Sequence, residues 1–198
     1  MKKIFAIFAF LCAAVINIQA ERVFVGAEQT KLYLPLLKGK RVALLSNHTG
    51  IVIQGTDTIH TLDLLLKHGV EVTAIFSPEH GFRGTAREGE HVASSVDAKT
   101  GIPILSLYDG KSQRPSKEAM QTFDILITDI QDVGLRFYTY YVTMFRLMNA
   151  CASEGKQFMV FDRPNPNGFY VDGPILDMKH KSGVGALPIP VVHGKTLG

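Results

Sequence analysis

The sequence lacks the residue patterns of several common functional classes. It contains two cysteines, Cys12 and Cys151, and no Cys/His spacing typical of zinc sites. It also lacks a phosphate-binding glycine loop, heptad repeats, low-complexity tracts and a serine in a Gly-x-Ser-x-Gly nucleophile elbow. The formal charge is only +3, so composition gives no indication of a nucleic-acid or anionic-membrane partner.

The chain has one long apolar segment, at its amino terminus. Lys2 and Lys3 precede the apolar residues 4–18, and the small residue Ala20 follows. This pattern predicts a signal peptide over residues 1–20 and an exported protein, periplasmic or secreted. The segment is short for a membrane span and no second one follows, so we expect no stable membrane insertion after its removal. Cys151 then remains as a single thiol, which we predict to be buried and inert.

The remaining residues, 21–198, alternate between apolar runs and segments with helical spacing. Near-continuous apolar runs favour buried parallel strands, so the predicted fold is α/β and Rossmann-like, a mostly parallel sheet with helices on both faces. Pro103 favours an edge position for the run at 102–108. Asp57 or Thr58 is the predicted cap of the first helix after the strand at 41–46. A long helix is predicted over residues 137–154, with a core-facing stripe of Tyr141, Met144, Phe145, Met148 and Ala152.

Polar clusters follow four of the predicted strands, and we call this set of positions the carboxyl rim. The carboxyl ends of parallel strands lie at one edge of a sheet, where α/β proteins bind ligands. The members are Asn47 and His48; Glu79, His80 and Arg83; Asp129, Gln131 and Asp132; and Asp162, Arg163 and Asn165.

Carboxylates on this rim fit glycosidic bond cleavage, which needs a protonated acid and usually a second carboxylate. Glu79 is the predicted acid, since burial beside neighbouring phenylalanines would raise its pKa. Asp129, Asp132 or Asp162 could serve as base, nucleophile or electrostatic stabiliser. A separation of about 5 Å between the two carboxyls would indicate retention of configuration, and roughly 6.5–9.5 Å inversion.

Arginines on the rim fit recognition of a substrate carboxylate. The guanidinium groups of Arg83, Arg136 and Arg163 can each bind a carboxylate through two nitrogens. The alternative is a structural role, with Arg163 paired to Asp162 and Arg136 paired to Asp132.

Histidines leave a further alternative open. His193 follows a proline-flanked segment, and a structural imidazole there competes with a substrate-binding one. His48, His80, Asp129 and His193 could also form a mixed metal-ligand set, although no local spacing supports one.

Several ordered blocks of the sequence resemble the exo-β-N-acetylmuramidase family of glycoside hydrolases, long catalogued as a domain of unknown function. These blocks are LSNHTG at 45–50, FSPEHGFRG at 76–84, DIQDVG at 129–134 with RFYTY at 136–140, DRPNP at 162–166 with GP at 173–174, and PIP at 188–190 with HG at 193–194. The resemblance extends from about residue 41 to residue 198.

The resemblance implies release of terminal N-acetylmuramic acid from peptidoglycan fragments, without a metal or organic cofactor. Glu79 would be the catalytic glutamate, and the other matched polar residues, Tyr138 among them, would line the sugar site. The lactyl carboxylate of muramic acid would give an arginine a binding partner. Family members are roughly twice as long, so we expect residues 21–198 to be the Rossmann-like catalytic subdomain without the second, smaller subdomain that closes the cleft.

Two other functions remain possible from the residues alone. One is a non-catalytic module that binds sugars or muropeptides, and the other is a metal-dependent hydrolase, such as a phosphoesterase, on the same scaffold.

Overall fold

A six-stranded sheet forms the centre of the protein. This computed structural model describes residues 22–78, 82, 95–107 and 114–198. The strand order is β5-β6-β4-β1-β7-β8; all neighbours are parallel except β5 and β6. The bounds are β1 Arg41–Ser46, β4 Glu71–Ser77, β5 Ser95–Val96, β6 Pro103–Ser106, β7 Ile125–Asp129 and β8 Gln157–Val160. The predicted mostly parallel α/β architecture is confirmed.

Helices cover both faces of this sheet, as predicted. They are α1 Thr30–Leu37, α2 Thr61–Lys67, α3 Lys117–Met120 and α4 Tyr140–Ser153. Successive side chains of a strand point to opposite faces. In β1, Val42 and Leu44 therefore pack in a core with α1 and α2, and Ala43 and Leu45 pack in a second core with α3 and α4. Because both faces of each central strand are buried, those strands are apolar almost throughout.

A β-hairpin lies between β1 and α2, where we predicted the helix cap. Strands β2 Ile51–Gln54 and β3 Asp57–His60 pair antiparallel, and Gly55 occupies the two-residue turn with φ +65°. The predicted cap at Asp57 or Thr58 is therefore wrong. His60 caps α2 instead, with its Nδ1 accepting a hydrogen bond from the Leu62 N–H at 3.1 Å. The β-branched residues on either side of Gly55 are the sequence signal for this hairpin.

Strand β6, which begins at Pro103, is second from the edge of the sheet and not the edge strand that we predicted. The two-residue strand β5 pairs antiparallel with β6, and Pro103 lies opposite Val96 as the first residue of β6. Proline is tolerated there because the first residue of a strand can lack the ladder hydrogen bond that proline cannot donate.

The core-facing stripe of α4 differs from the predicted one by about one residue. Tyr140, Met144, Leu147 and Cys151 pack on the sheet, whereas Met148 is 38% exposed. Met144 is buried as predicted, and Ala152 is exposed. Tyr141 is also buried, but packs in a separate cluster with Ala186. The helix begins at Tyr140 and not at residue 137. Burial raises the pKa of the Cys151 thiol to about 11, in agreement with an inert side chain.

Within the described residues, we find no helix with the length and apolar character needed to cross a membrane.

Substitutions on adjacent residues of α4 test this phase. We expect Leu147→Ala to lower the free energy of unfolding by about 2–5 kcal/mol, because it opens a cavity in the core. The control Met148→Ala, on the exposed side, should change it by no more than about 0.5 kcal/mol. Urea denaturation followed by circular dichroism measures both; equal losses would contradict the assigned face.

Candidate functional site

The four strands that carry the carboxyl rim are neighbours in the sheet. Their order, β4-β1-β7-β8, places the segments that follow them side by side. Glu79, His80 and Arg83 lie outside the described residues. The residues bordering this segment are described: Ser77 is buried at the end of β4, and the Phe82 ring lies 4.9 Å from the His60 ring, edge to face.

A buried ion pair between Asp129 and Arg163 lies at the base of the rim. Arg163 donates from Nε to Asp129 Oδ1 at 2.6 Å and from Nη2 to Oδ2 at 3.0 Å. Thr61 Oγ1 also donates to Asp129 Oδ2, and Arg163 Nη2 donates to the Ile51 carbonyl at 2.9 Å. The pair thus connects the ends of β7 and β8 to the hairpin and to α2.

These contacts are those of a structural residue, and the catalytic role of Asp129 stays a prediction. Its side chain has no exposed surface, and both of its oxygens accept hydrogen bonds from protein groups. The alternative pairing of Arg163 with Asp162 is wrong. Asp162 is half-buried, and its Oδ1 accepts a hydrogen bond from the Gly198 N–H at 3.0 Å.

Asn47 belongs to a hydrogen-bond network that joins β1 to the segment after β7. Its Oδ1 accepts from the Thr49 N–H at 2.9 Å and from Thr49 Oγ1 at 2.6 Å. Thr49 Oγ1 in turn accepts from the Gln131 N–H at 3.0 Å, and Gln131 Nε2 donates to the carbonyl of Pro164 at 2.9 Å. The network orders three rim segments, while His48 points away as an exposed side chain.

Asp132 and His193 face each other in the interior of the rim. His193 Nε2 lies 3.4 Å from Asp132 Oδ2, and both side chains are at least nine-tenths buried. Asp132 Oδ2 also accepts a hydrogen bond from the Gly134 N–H at 2.8 Å. Burial raises the pKa of the Asp132 carboxyl, against the opposing effects of the Gly134 N–H and of His193. His193 therefore contacts the rim through Asp132, the aspartate considered above as an alternative partner of Arg136.

Arg136 holds the carboxyl-terminal segment against the rim. Its Nη1 donates to the carbonyls of Pro174 and Ile189, both at 2.7 Å, and its backbone N–H donates to the Val191 carbonyl at 2.8 Å. The alternative pairing of Arg136 with Asp132 is therefore not the one observed. These contacts hold the segment that carries His193, and substrate binding by Arg136 stays a prediction.

Of the two other predicted site residues, Asn165 contacts the segments around it and Tyr138 packs against the start of α4. Asn165 Nδ2 donates to the Lys195 carbonyl at 2.9 Å, and its side chain lies so close to Gly134 that a Cβ there would be 2.4 Å from it. The Tyr138 ring is half-buried and packs edge to face on Tyr140 at 5.0 Å.

Three residues of the site are absent from the sequence-based prediction. They are Thr49, His60 and Thr61, which act through hydrogen bonds to Gln131, Asn47 and Asp129. Thr49 belongs to the sequence block LSNHTG at 45–50, and its hydroxyl next to Asn47 is the sequence signal for this contact. The positions of Thr61 and His60 depend on the hairpin, which the sequence analysis does not predict.

Two further observations concern what this site can bind. No group of three His, Cys, Asp or Glu side chains able to hold a metal occurs within the described ranges. A cavity of about 570 Å³ lies on the outer side of α4, between Lys117, Arg146 and Lys181, and none of the predicted site residues lines it.

The fold and the rim define the class of protein: a Rossmann-like α/β protein with polar side chains at the carboxyl ends of its parallel strands, the edge at which α/β proteins bind ligands. The sequence model of the family described as "Exo-beta-N-acetylmuramidase NamZ, N-terminal" matches residues 42–198. The chain belongs to this family.

Known relatives agree with this assignment. The chain is 47% identical to the peptidoglycan β-N-acetylmuramidase NamZ of Bacillus subtilis (strain 168), over 84% of this chain and 40% of that protein. Two crystal structures of DUF1343 family proteins from Bacteroides fragilis NCTC 9343 share the fold. The first is 60% identical, with a TM-score of 0.77 over 90% of this chain and 45% of its own. The second is 36% identical, with a TM-score of 0.78 over 89% and 44%. The chain thus spans less than half the length of each of these relatives.

Removal of Arg163 tests the role of the buried pair. We expect Arg163→Met to lower the free energy of unfolding by about 3–5 kcal/mol, because Asp129 stays buried without its countercharge. The control is Arg41→Met, which breaks the exposed Arg41–Asp124 pair and should cost at most about 1 kcal/mol. Thermal and urea unfolding measure both, and a loss for Arg163→Met no greater than for the control would contradict the assigned role.

Proposed function

We propose that the protein is an exo-acting β-N-acetylmuramidase that releases terminal N-acetylmuramic acid from peptidoglycan fragments. Membership of the NamZ family over residues 42–198 carries this proposal, and the 47% identity to a peptidoglycan β-N-acetylmuramidase supports it. The process served would be cell-wall turnover and recycling. Export to the periplasm or beyond, directed by residues 1–20, would place the enzyme beside this substrate.

Glu79 is the proposed general acid. It is bonded to Pro78, which follows the buried end of β4, and consecutive Cα atoms are about 3.8 Å apart. The β4 end lies beside the end of β1 in the sheet, next to Asn47. A general acid that follows β4 in the chain would need to reach the oxygen of the departing sugar.

Asp132 is the proposed carboxylate that faces the substrate. Asp129 has both oxygens occupied by Arg163 and Thr61, whereas Asp132 Oδ1 accepts no hydrogen bond from the described residues. In this proposal Asp129 contributes indirectly, by holding the rim segments that carry Asp132 and Asn165.

Arg83 is the proposed partner of the lactyl carboxylate of muramic acid. Arg163 is engaged with Asp129 and the Ile51 carbonyl, and Arg136 is engaged with two backbone carbonyls. Of the three arginines predicted for this role, Arg83 is the one that these contacts leave as the candidate.

The test of the acid is turnover of a chromogenic β-N-acetylmuramide by the full-length protein. We expect Glu79→Gln to lower kcat by about 10²–10⁴-fold, the contribution of a general acid. Glu154→Gln, an exposed position after α4, is the matched control and should keep wild-type turnover. Equal turnover by both variants would remove Glu79 from this role.

Two further measurements distinguish this function from a sugar-binding module and from a metal-dependent hydrolase. Calorimetric binding of muropeptide without any hydrolysis by the wild-type protein would favour a sugar-binding module. Loss of hydrolysis on addition of a chelator would favour a metal-dependent hydrolase.

The test of the arginine is substrate discrimination. We expect Arg83→Gln to raise KM for the β-N-acetylmuramide about 10–100-fold, the effect of losing a charge-assisted hydrogen bond of about 1.5–3 kcal/mol. Arg146→Gln, on the outer side of α4, is the control. An unchanged KM for Arg83→Gln would assign the lactyl carboxylate to another group.

A further inference from the structure

The cavity on the outer side of α4 contains an excess of positive charge. Its volume of about 570 Å³ lies within the range of roughly 300–1,000 Å³ that is common for small-ligand sites. Its charged lining residues are four cations and one acid: Arg114, Lys117, Arg146, Lys181 and Glu154. The whole chain, by contrast, has 21 Lys and Arg against 18 Asp and Glu. Cations are therefore concentrated at this cavity well beyond their share of the sequence.

Arg146 differs from the other described arginines in having no protein partner. The residue is half-buried, yet it makes no hydrogen bond or ion pair with another described residue, whereas each other described arginine has a partner. A guanidinium carries five N–H donors in a planar fork that matches a carboxylate. Lys181, an exposed residue of the same lining, is also unpaired within the described chain. Two cations of one cavity thus have their donors available to a ligand.

The lining also gives the cavity an elongated shape. The lining residues on α4 extend from Val142 to Ser153, almost the whole helix. At 1.5 Å per residue, this part of the helix is about 16 Å long. An extended peptide advances about 3.3 Å per residue, so a peptide of about five residues matches the length of the cavity.

The uncharged lining residues suit a peptide as well. The apolar ones, which can contact small side chains, are Met120, Val142, Phe145, Ala150 and Ala186. The polar ones, whose amide and hydroxyl groups can bond to peptide N–H and C=O groups, are Asn149, Ser153 and Ser182. The cavity therefore offers an apolar surface, peptide-bonding groups and unpaired cations in one place.

We propose that this cavity binds a short acidic peptide in an extended conformation. Carboxylates of the peptide would pair with Arg146 and Lys181, and its small apolar side chains would contact Phe145. A cleft lined by charge of one sign attracts ligands of the opposite sign. This inference goes beyond the proposed function and does not depend on it, because none of the predicted site residues lines the cavity.

The lining disfavours two other kinds of ligand. A compact anion such as inorganic phosphate would contact the cations, but it would leave the apolar surface and most of the length of the cavity unused. A basic peptide would place like charges beside Arg146 and Lys181, which disfavours binding. An acidic peptide uses both the charge and the shape.

The test is isothermal titration calorimetry of the full 198-residue protein with a defined peptide. The probe is the pentapeptide Ala-Glu-Ala-Glu-Ala with acetylated and amidated ends, and its matched control is Ala-Gln-Ala-Gln-Ala. We expect the acidic peptide to bind at least about tenfold more tightly, because only its carboxylates form charge-assisted hydrogen bonds. Raising the NaCl concentration should weaken this binding, because salt screens the attraction.

Substitutions of opposite sign test the assigned charges. Arg146→Gln and Lys181→Gln should each weaken binding of the acidic peptide, the former about tenfold or more. Glu154→Gln should strengthen it, because it removes the one acid of the lining. Lys179→Gln is the matched control and should keep wild-type affinity, since Lys179 is near Lys181 in sequence but pairs with Asp177 and does not line the cavity.

Stability and turnover distinguish ligand binding from a structural role. Because Arg146 has no protein partner, Arg146→Gln should change the melting temperature no more than Lys179→Gln does. Turnover of the chromogenic β-N-acetylmuramide should stay at the wild-type level in the cavity variants, since that substrate carries no peptide.

Three results would each overturn the proposal. They are equal affinity for the Glu and Gln peptides, equal affinity of Arg146→Gln and Lys179→Gln for the acidic peptide, and binding of inorganic phosphate as tight as that of the acidic peptide. Failure of the proposed function is a separate result. Binding of the acidic peptide without hydrolysis of the β-N-acetylmuramide would leave the peptide site and remove the function, and hydrolysis without peptide binding would do the reverse.

Discussion

The buried ion pair between Asp129 and Arg163 is the interaction on which the carboxyl rim depends. An ionised carboxylate and guanidinium taken out of water lose their hydration, and only close geometry with further hydrogen bonds compensates for this loss. Here the compensation comes from two contacts between the pair, from Thr61 and from the Ile51 carbonyl. Each of these partners belongs to a different element. Satisfying one buried charge therefore fixes the relative positions of β7, the segment after β8, the hairpin and α2.

The rim has two layers with opposite hydrogen-bonding properties. At its base, Asp129 and Arg163 are satisfied by protein groups. Around the Asp132 segment, three buried atoms have no partner in the part of the chain that the structure describes. The first layer contributes order and the second costs stability, which is the pattern expected where a rigid scaffold presents unsatisfied groups to a ligand.

Much of the fold was predictable because burial on both faces leaves a clear record in the sequence. The runs at β1, β4 and β7 are apolar almost throughout, since their side chains enter two cores. The hairpin was missed because its short strands lie outside the central sheet, and Ile53 and Asp57 are exposed. Its signal was a single turn glycine. The buried face of α4 was harder to assign because apolar residues occur on more than one side of the helix, and both Tyr140 and Tyr141 are buried.

The membership of the rim was predictable, but its pairings were not. Arg163 was paired with Asp162 because the two are adjacent in sequence, yet adjacent side chains of an extended segment point in opposite directions. Its partner Asp129 is 34 residues away. His193 meets Asp132 only because Arg136 and Leu135 hold the carboxyl-terminal segment in place. Sequence identifies which residues reach the edge of a parallel sheet, whereas long-range packing decides which of them touch.

The wide sequence separation of the rim also sets the order in which the site can form. Asn47 lies near one end of the described chain and His193 near the other. The segment that contacts both can complete its contacts only after His193 has been synthesised. During synthesis, the strands up to β7 can pair before residue 193 has left the ribosome, but the Asp132 segment has no histidine to face until then. A nascent chain would thus hold a partly built sheet in which the contact between Asp132 and His193 has yet to form.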